Sequence, residues 1–257
     1  MKILAIIPAR YASTRFPGKP LATIGGKTMV QRVYEQVNKA TEIDKVLVAT
    51  DDERIFEHVQ GFGGEVIMTH PHHQNGTERC AEVIEKVYDE FDVVLNIQGD
   101  EPFILPEQVD QLASCFVDEV TDIATLMKQT DSNEQLLSPN TAKVVFNDAM
   151  QALYFSRQAI PHLRGVPLNE WADRKVHYLH VGVYGYRKEV LRDIVKLPLS
   201  TLESLEMLEQ LRWLENGYTI SIRQTYHQSI SVDTPDDLGF VLDQTTFIMF
   251  SKNNQVN

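Results

Sequence analysis

Residues 3–21, ILAIIPARYASTRFPGKPL, join an apolar run of strand length to a turn rich in cations, prolines and small polar residues. Residues 3–8 predict a buried strand. The composition of the turn that follows favours neither a continuation of this strand nor a helix. Arg10, Arg15 and Lys19 all lie in this turn. A strand that ends in a flexible cationic turn is typical of the ligand-binding edge of an open α/β sheet.

The same alternation continues along the first hundred residues. Strand-length apolar runs recur at residues 45–50, 65–69 and 93–98, and helical periodicity fills the gaps between them. Residues 28–40 and 77–91 each place their apolar side chains on one helical face. Strands that alternate with helices predict a largely parallel sheet with crossover helices, which is an α/β fold.

The pattern changes after about residue 123. Residues 122–129 and 142–148 predict strands, whereas residues 152–171 mix aromatics, prolines and arginines without a clear period. We interpret residues 123–190 as containing an inserted subregion that contacts a partner. One helix is predicted over residues 204–217, with Gly217 as its stop signal, and a strand over 218–226.

A last helix is predicted to begin in the segment SVDTPDDL, residues 231–238, with Thr234 or Asp233 as its cap. We expect residues 1–245 to form a single domain and residues 246–257 to form a C-terminal tail.

Composition narrows the classes of partner. A formal charge of −12 argues against a nucleic-acid or membrane-surface role, because both partners are polyanions that favour a basic face. The N-terminus lacks the features of a signal peptide and no run approaches a membrane span, so we expect a cytoplasmic protein. Cys80 and Cys115 have no metal-ligand spacing and are expected to be reduced and buried.

The cationic turn of residues 10–19 is suited to a polyphosphate. Backbone N–H groups can donate hydrogen bonds to phosphate oxygens while the cations neutralise charge. The turn contains neither a GxxxxGK[ST] loop nor a GxGxxG fingerprint, so it matches neither of those phosphate-binding motifs. A solvated surface loop explains the same residues and remains the alternative.

Two carboxylate segments could hold a metal ion. Gln98, Gly99, Asp100 and Glu101 follow a buried strand, and carboxylates at a strand tip can hold Mg2+ against substrate phosphates. Asp233 also follows a short predicted strand. The alternatives are an acidic turn before the helix near Pro106 and an ordinary helix cap at Asp233.

Two further segments offer polar contacts. The segment HQNGTER, residues 73–79, leads into a helix whose free N–H groups suit base or ribose oxygens, although an ordinary cap fits equally well. We interpret the histidines at 70, 72 and 73 as solvated. In the strand predicted for residues 177–187, His180, Tyr184 and Tyr186 share one face, which is either a sugar-contacting wall or a half-buried polar face.

Seven segments, taken together and in this order, resemble the 3-deoxy-manno-octulosonate (Kdo) cytidylyltransferase family. They are IPARYASTRFPGKPL, GTER, QGDEP, ALYFSR, HVGVYGYR, EMLEQLR and VDTPDDL, and the resemblance runs from about residue 2 to residue 242. It implies a nucleotide-diphospho-sugar-transferase-like α/β fold and a homodimer built partly from the irregular subregion. It also implies the Mg2+-dependent reaction of CTP with Kdo that gives CMP-Kdo and pyrophosphate for lipopolysaccharide biosynthesis.

The resemblance assigns roles to residues in three groups. It implies nucleotide binding by Arg10, Ser13, Arg15, Lys19, Thr77 and Arg79. It implies Mg2+ binding by Asp100 and Asp233, and catalysis by these two together with Lys19 and Arg15. It implies contacts with the sugar acid by Gln98, Arg157, His180, Tyr184, Glu209 and Gln210.

The sequence departs from the family pattern at one position and leaves other functions open. Asn75 stands where we expect a serine, which bears on the detail of nucleotide contact. An 8-amino analogue of Kdo and an N-acylneuraminate are alternative sugar acids, with the YASTR and LEQLR segments favouring Kdo over the latter. A nucleotide-binding regulatory protein without turnover is the alternative of another class.

Overall fold

The structure is a computed structural model, and it describes residues 1–12, 16–87, 90–227, 232, 234, 237 and 239. The strands are β1 (Ile3–Ala9), β2 (Thr23–Ile24), β3 (Lys27–Thr28), β4 (Lys45–Thr50), β5 (Val66–Met68), β6 (Val93–Asn96), β7 (Ile123–Gln129), β8 (Lys143–Phe146), β9 (Ala152–Ser156), β10 (Tyr178–Arg187) and β11 (Ile220–Gln224). The helices are α1 (Met29–Val37), α2 (Glu53–Gly61), α3 (Gly76–Lys86), α4 (Pro106–Ser114), α5 (Asn133–Leu137), α6 (Lys188–Ile194), α7 (Thr201–Glu206) and α8 (Gln210–Glu215).

A mixed sheet organises the described chain, with strand order β11-β7-β10-β6-β1-β4-β5; β8 pairs with β10, and β9 pairs with β8. β11 with β7, β6 with β1, β1 with β4 and β4 with β5 are parallel pairs, whereas β10 is antiparallel to both β6 and β7. The predicted α/β fold with a mostly parallel sheet is therefore confirmed.

The sheet is covered by helices on both faces. Alternate residues of β1 divide between two cores: Leu4 and Ile6 belong to one, Ile3 and Ala5 to the other. Apolar residues of α3, α6 and α8 complete the first core, and those of α1, α2 and α4 complete the second. This is the period of two expected of a strand buried on both sides.

The parallel direction brings several chain segments to one edge. The residues after β1, β4, β5 and β6 all leave the sheet at its carboxyl edge, which is where ligands bind in open α/β sheets. Because β10 runs the opposite way, its first half reaches the same edge. His180 therefore lies at the same edge of the sheet as Arg10 and Asp100.

The single helix predicted over residues 204–217 is wrong. The structure has two helices, α7 and α8, separated at Met207, whose φ of 52° lies in the left-handed region. The guanidinium of Arg157 donates to the carbonyl oxygens of Glu206 (2.7 Å) and Met207 (3.1 Å). Carbonyls at a helix end need such donors, so a contact from a distant residue supports the break.

The remaining predictions at the C-terminal end are partly within the described residues. The predicted strand over 218–226 is present as β11. The N–H of Asp237 donates to Thr234 Oγ1 (3.3 Å), and the N–H of Thr234 donates to Asp237 Oδ2 (2.8 Å), which is a reciprocal cap with Thr234 as the capping residue. Asp233 and the tail of residues 246–257 lie outside the described residues. The division into one domain of residues 1–245 and a tail stays a prediction.

Candidate active site

Two cavities open at the carboxyl edge of the sheet and meet at Gln98 and Asp100, which line both. The small cavity, about 190 Å³, is bounded by the end of β1, Lys19, the loop before α3 and Arg79. The large cavity, about 580 Å³, is bounded by the first half of β10, residues 140–142, Arg157 and residues 207–210. Asp100 is thus placed where ligands in the two cavities would meet.

Lys19 and Asp100 form the ion pair at this junction. Lys19 Nζ lies 2.7 Å from Asp100 Oδ2, and both side chains are partly buried. The turn that carries Lys19 begins at Gly18, whose φ of 71° suits glycine and whose N–H donates to the Tyr11 carbonyl (2.9 Å). Arg10 also lines the small cavity. Ser13 and Arg15 of the same turn lie outside the described residues.

Backbone packing fixes the position of Asp100. A Cβ on Gly99 would lie 2.7 Å from the Pro8 carbonyl oxygen, so only glycine allows this approach of the 98–100 segment to β1. Gly99 therefore lets this segment pack directly against the backbone of β1. The N–H of Val232 donates to the Asp100 carbonyl (3.0 Å), which places Val232 beside Asp100.

Arg79 is the most deeply buried cation of the small cavity. It is 3% exposed, its Nη2 lies 3.2 Å from Asp51 Oδ2, and its Nη1 donates to Thr69 Oγ1. The Asn75 side chain accepts the N–H of Glu78 (2.8 Å) and caps α3. Asparagine and serine are comparable N-cap residues, so Asn75 can cap the helix as the expected serine would.

The interpretation of the three nearby histidines as solvated is wrong for His73. Its ring is mostly buried, it lines the small cavity, and its Nε2 pairs with Glu82 Oε2. Glu82 also accepts the N–H of His70 (2.8 Å) and pairs with Lys86 (2.6 Å). These donors, which outweigh burial, lower the pKa of Glu82 to about 2. The sequence carried no signal for this pairing.

Thr77 points away from the small cavity. Its side chain is 1% exposed and its hydroxyl donates to Glu209 Oε2 at 2.8 Å. Glu209 lines the large cavity, and burial raises its pKa to about 7 although the Thr77 bond acts in the opposite direction. The predicted contact of Thr77 with a nucleotide is therefore not the contact that its hydroxyl makes in this structure.

His180 and Tyr184 form an aromatic wall of the large cavity. Their ring centroids lie 5.2 Å apart, and Tyr184 stacks on Tyr186 behind it at 6.1 Å. His180 Nε2 lies 2.9 Å from Thr125 Oγ1, and burial lowers the pKa of the ring to about 3, so it is uncharged at neutral pH. The predicted common face of these three side chains is confirmed, although the pairing of β10 with β7 shifts register between Val181 and Tyr184.

Two buried polar groups of this wall have no hydrogen-bond partner among the described residues. They are the Tyr184 hydroxyl and Gln210 Nε2. Both residues line the large cavity. Buried polar groups are nearly always satisfied in proteins, so these atoms are suited to bind a polar ligand.

Arg157 reaches the rim of the large cavity from the end of β9. In addition to the carbonyls of Glu206 and Met207, its guanidinium donates to the Pro139 carbonyl (3.0 Å). These contacts use three of the five N–H donors of an arginine. The fully buried Lys143 donates to carbonyls of the same rim, namely Ser138 (2.9 Å), Thr141 (2.7 Å) and Arg157. Lys143 was not predicted as part of the site.

The described structure therefore brings most of the predicted residues into two groups. Arg10, Lys19, Arg79, Gln98 and Asp100 line the small cavity. Gln98, Asp100, Arg157, His180, Tyr184, Glu209 and Gln210 line the large cavity. No group of three or more His, Cys, Asp or Glu placed to hold a metal occurs among the described residues. Nor does that part of the chain contain a helix long and apolar enough to cross a membrane.

The arrangement can bring two polar ligands together at a carboxylate. Cations line the small cavity, as an anionic ligand requires, and hydrogen-bonding aromatic and amide groups line the large one. A mostly parallel sheet with ligand cavities at its carboxyl edge is typical of α/β proteins that bind nucleotides.

Comparisons with known proteins identify the family. Residues 4–222 match the family model described as cytidylyltransferase. A 3-deoxy-manno-octulosonate cytidylyltransferase of Parabacteroides distasonis is 52% identical over 242 residues, which cover 93% of this chain and 96% of the relative. The chain belongs to the cytidylyltransferase family.

Solved structures agree with this result. A CMP:2-keto-3-deoxy-manno-octonic acid synthetase complexed with CTP superposes with a TM-score of 0.88 at 42% identity, covering 96% of this chain and 99% of that one. A 4-diphosphocytidyl-2C-methyl-D-erythritol synthase from Anaerococcus prevotii, at 13% identity and a TM-score of 0.63, shares the fold; the alignment covers 95% of this chain and 98% of that one.

Proposed function

We propose that this protein transfers CMP from CTP to Kdo, giving CMP-Kdo and pyrophosphate. The observation that carries the proposal is the junction of the two cavities at Asp100. CTP in the small cavity and a sugar acid in the large one would place the α-phosphorus beside the anomeric hydroxyl. The similarity to relatives named as Kdo cytidylyltransferases supports the choice of both substrates.

The reaction proceeds by attack of the anomeric hydroxyl on the α-phosphorus, in line with the departing pyrophosphate. Transfers of this kind depend on positioning and charge neutralisation more than on covalent help from the protein. Arg10 and Lys19 neutralise the phosphates, with Ser13 and Arg15 of the same turn assigned to the same ligand. Arg79, held by Asp51 and Thr69, contacts the cytidine from the start of α3.

The sugar acid is held by the walls of the large cavity. Tyr184 supplies its buried hydroxyl and Gln210 its buried Nε2, neither of which has a partner among the described residues, and neutral His180 presents its ring beside Tyr184. Arg157 pairs with the carboxylate of the sugar acid through its remaining donors. Gln98 lies at the junction and Glu209 lines the same cavity, and both form hydrogen bonds with sugar hydroxyls.

Asp100 and Asp233 are the residues that would hold Mg2+. The donor chemistry fits, because Mg2+ prefers carboxylate oxygens and is usually held by one or two carboxylates together with substrate phosphates. Asp100 Oδ2 already pairs with the ammonium of Lys19, which shows that this oxygen accepts a cation at the junction. A metal held by these carboxylates would supply Lewis-acid chemistry: it would lower the pKa of the attacking hydroxyl and neutralise phosphate charge.

Pyrophosphate release from purified protein with Mg2+ and CTP tests the function, with Kdo, 8-amino-Kdo and N-acetylneuraminate offered in parallel. We expect release with Kdo and a CTP-dependent rise in melting temperature that corresponds to about 2.7 kcal/mol at 100 times Kd. Release with another sugar acid alone would reassign the substrate. A thermal shift without release from any sugar would indicate a nucleotide-binding protein without turnover.

We also propose that the protein is a homodimer formed partly through residues 123–190. Large apolar side chains are exposed along this subregion, namely Leu137, Met150, Leu153, Leu168 and Val176. Exposed apolar surface of this kind is typical of protein interfaces. Sedimentation equilibrium at micromolar concentration should give twice the 29.3 kDa chain mass, and a monomer would contradict the proposal.

A further inference from the structure

The first turn of α3 forms part of the partition between the two cavities. At 3.6 residues per turn, side chains two positions apart point in directions about 200° apart. Arg79 accordingly lines the small cavity, whereas Thr77 is buried on the other side and donates to Glu209 at 2.8 Å. The bond joins residues 132 positions apart and links the nucleotide-side helix to the wall of the large cavity.

Glu209 sits in surroundings that offer it few donors. The charged and titratable groups that act on it come from the packed elements around it: Glu78 and Cys80 of α3, Tyr184 and Tyr186 of β10, Glu203 of α7 and Arg212 of α8. The cation among these groups, Arg212, donates to both carboxylate oxygens of Glu203, at 2.7 and 2.6 Å. The Thr77 hydroxyl is therefore the direct donor that fixes the Glu209 carboxyl.

We infer that Thr77 is a positioning residue for the sugar acid, acting through Glu209 rather than through the nucleotide. This inference rests on the proposed function. By holding Oε2, the Thr77 hydroxyl fixes the rotation of the carboxyl group at the cavity wall and stabilises its ionised form. A sugar hydroxyl then meets a carboxyl group that is already oriented, which reduces the cost of ordering it on binding.

Thr77→Val tests the inference, because valine keeps the shape of threonine and removes the donor. We expect the KM for Kdo to rise about tenfold, as the loss of one hydrogen bond to a carboxylate predicts, with the KM for CTP within about twofold of wild type. Loss of the donor also moves the acidic limb of the kcat/KM profile for Kdo to higher pH, by about one unit. Thr77→Ser, which keeps the hydroxyl, should restore both properties.

The results that would overturn the inference are equal increases in both KM values, an unmoved pH profile, or a Thr77→Ser variant as impaired as Thr77→Val. Thr77→Ala provides a second donor-free variant if valine prevents folding. Carbon-13 NMR of glutamate-labelled protein, assigned with Glu209→Gln, follows the Glu209 titration without substrate. A wild-type protein that released no pyrophosphate would overturn the proposed function, whereas an identical Glu209 titration in wild type and Thr77→Val would overturn the role of Thr77.

Discussion

Replacing Asp100 by asparagine is expected to lower kcat by about 10² or more, because loss of one preorganised electrostatic group commonly has that effect. The substitution keeps the size of the side chain and removes its negative charge. The carboxylate lies 2.7 Å from Lys19 and at the junction of both cavities, so its loss affects the proposed metal site and leaves Lys19 without this counterion. Pyrophosphate release at saturating CTP, Kdo and Mg2+ measures the effect.

Asp148→Asn is the matched control for this experiment. Asp148 is an exposed carboxylate in the turn after β8, and its substitution should leave kcat within about twofold of wild type, as expected of a surface site. The CTP-dependent thermal shift should persist in Asp100→Asn, since Arg10 and Arg79 are unchanged. Near-normal turnover of Asp100→Asn at saturating Mg2+ would show that Asp100 is not a metal ligand.

Local patterns predicted the sheet and its edge because they are set by short-range periodicity. β4 has the bounds expected from its apolar run, and the segments after β1 and β6 meet as the carboxyl ends of parallel strands must. The position of Lys19 beside Asp100 follows from that rule, although the two residues are 81 positions apart.

Features that depend on long-range contacts were not predictable in this way. The apolar period runs through Met207 without interruption, and it is Arg157 that binds the carbonyls where α7 ends. His73 gave no sign of its pairing with Glu82, because the loop must first fold back on α3. The hydrogen bond of Thr77 likewise depends on Glu209, which lies 132 positions further along the chain.

Glu209 connects the geometry of the large cavity with the stability of the protein. Burial, the largest cause, raises the pKa of its carboxyl from 4.5 to about 7, so the folded protein holds this group neutral at pH values where the unfolded chain ionises it. Any favourable contribution of the neutral carboxyl group to the free energy of unfolding is fully present below pH 4.5. It is lost as the pH rises through 7. Above that range the buried carboxylate costs the folded state about 3 kcal/mol relative to an uncharged side chain.

Glu209→Gln is therefore expected to become more stable relative to wild type as the pH rises. Glutamine has nearly the same shape and does not ionise, while the other titrating groups remain in both proteins and cancel in the comparison. The difference in melting temperature between Glu209→Gln and wild type should increase by about 5–10 °C from pH 5 to pH 8 for a chain of this size. Differential scanning calorimetry without substrates measures it, and Glu119→Gln, at an exposed position, should show no such increase.

A constant difference across this pH range would mean that Glu209 ionises in the folded protein much as it does in the unfolded chain. The Thr77 hydroxyl would then have no perturbed carboxyl to hold. The expected increase in the melting-temperature difference would instead show that the Glu209 carboxyl group, at the wall of the large cavity, gains its charge near neutral pH. The ability of Glu209 to accept a hydrogen bond from a sugar hydroxyl would then depend on the donor that Thr77 supplies.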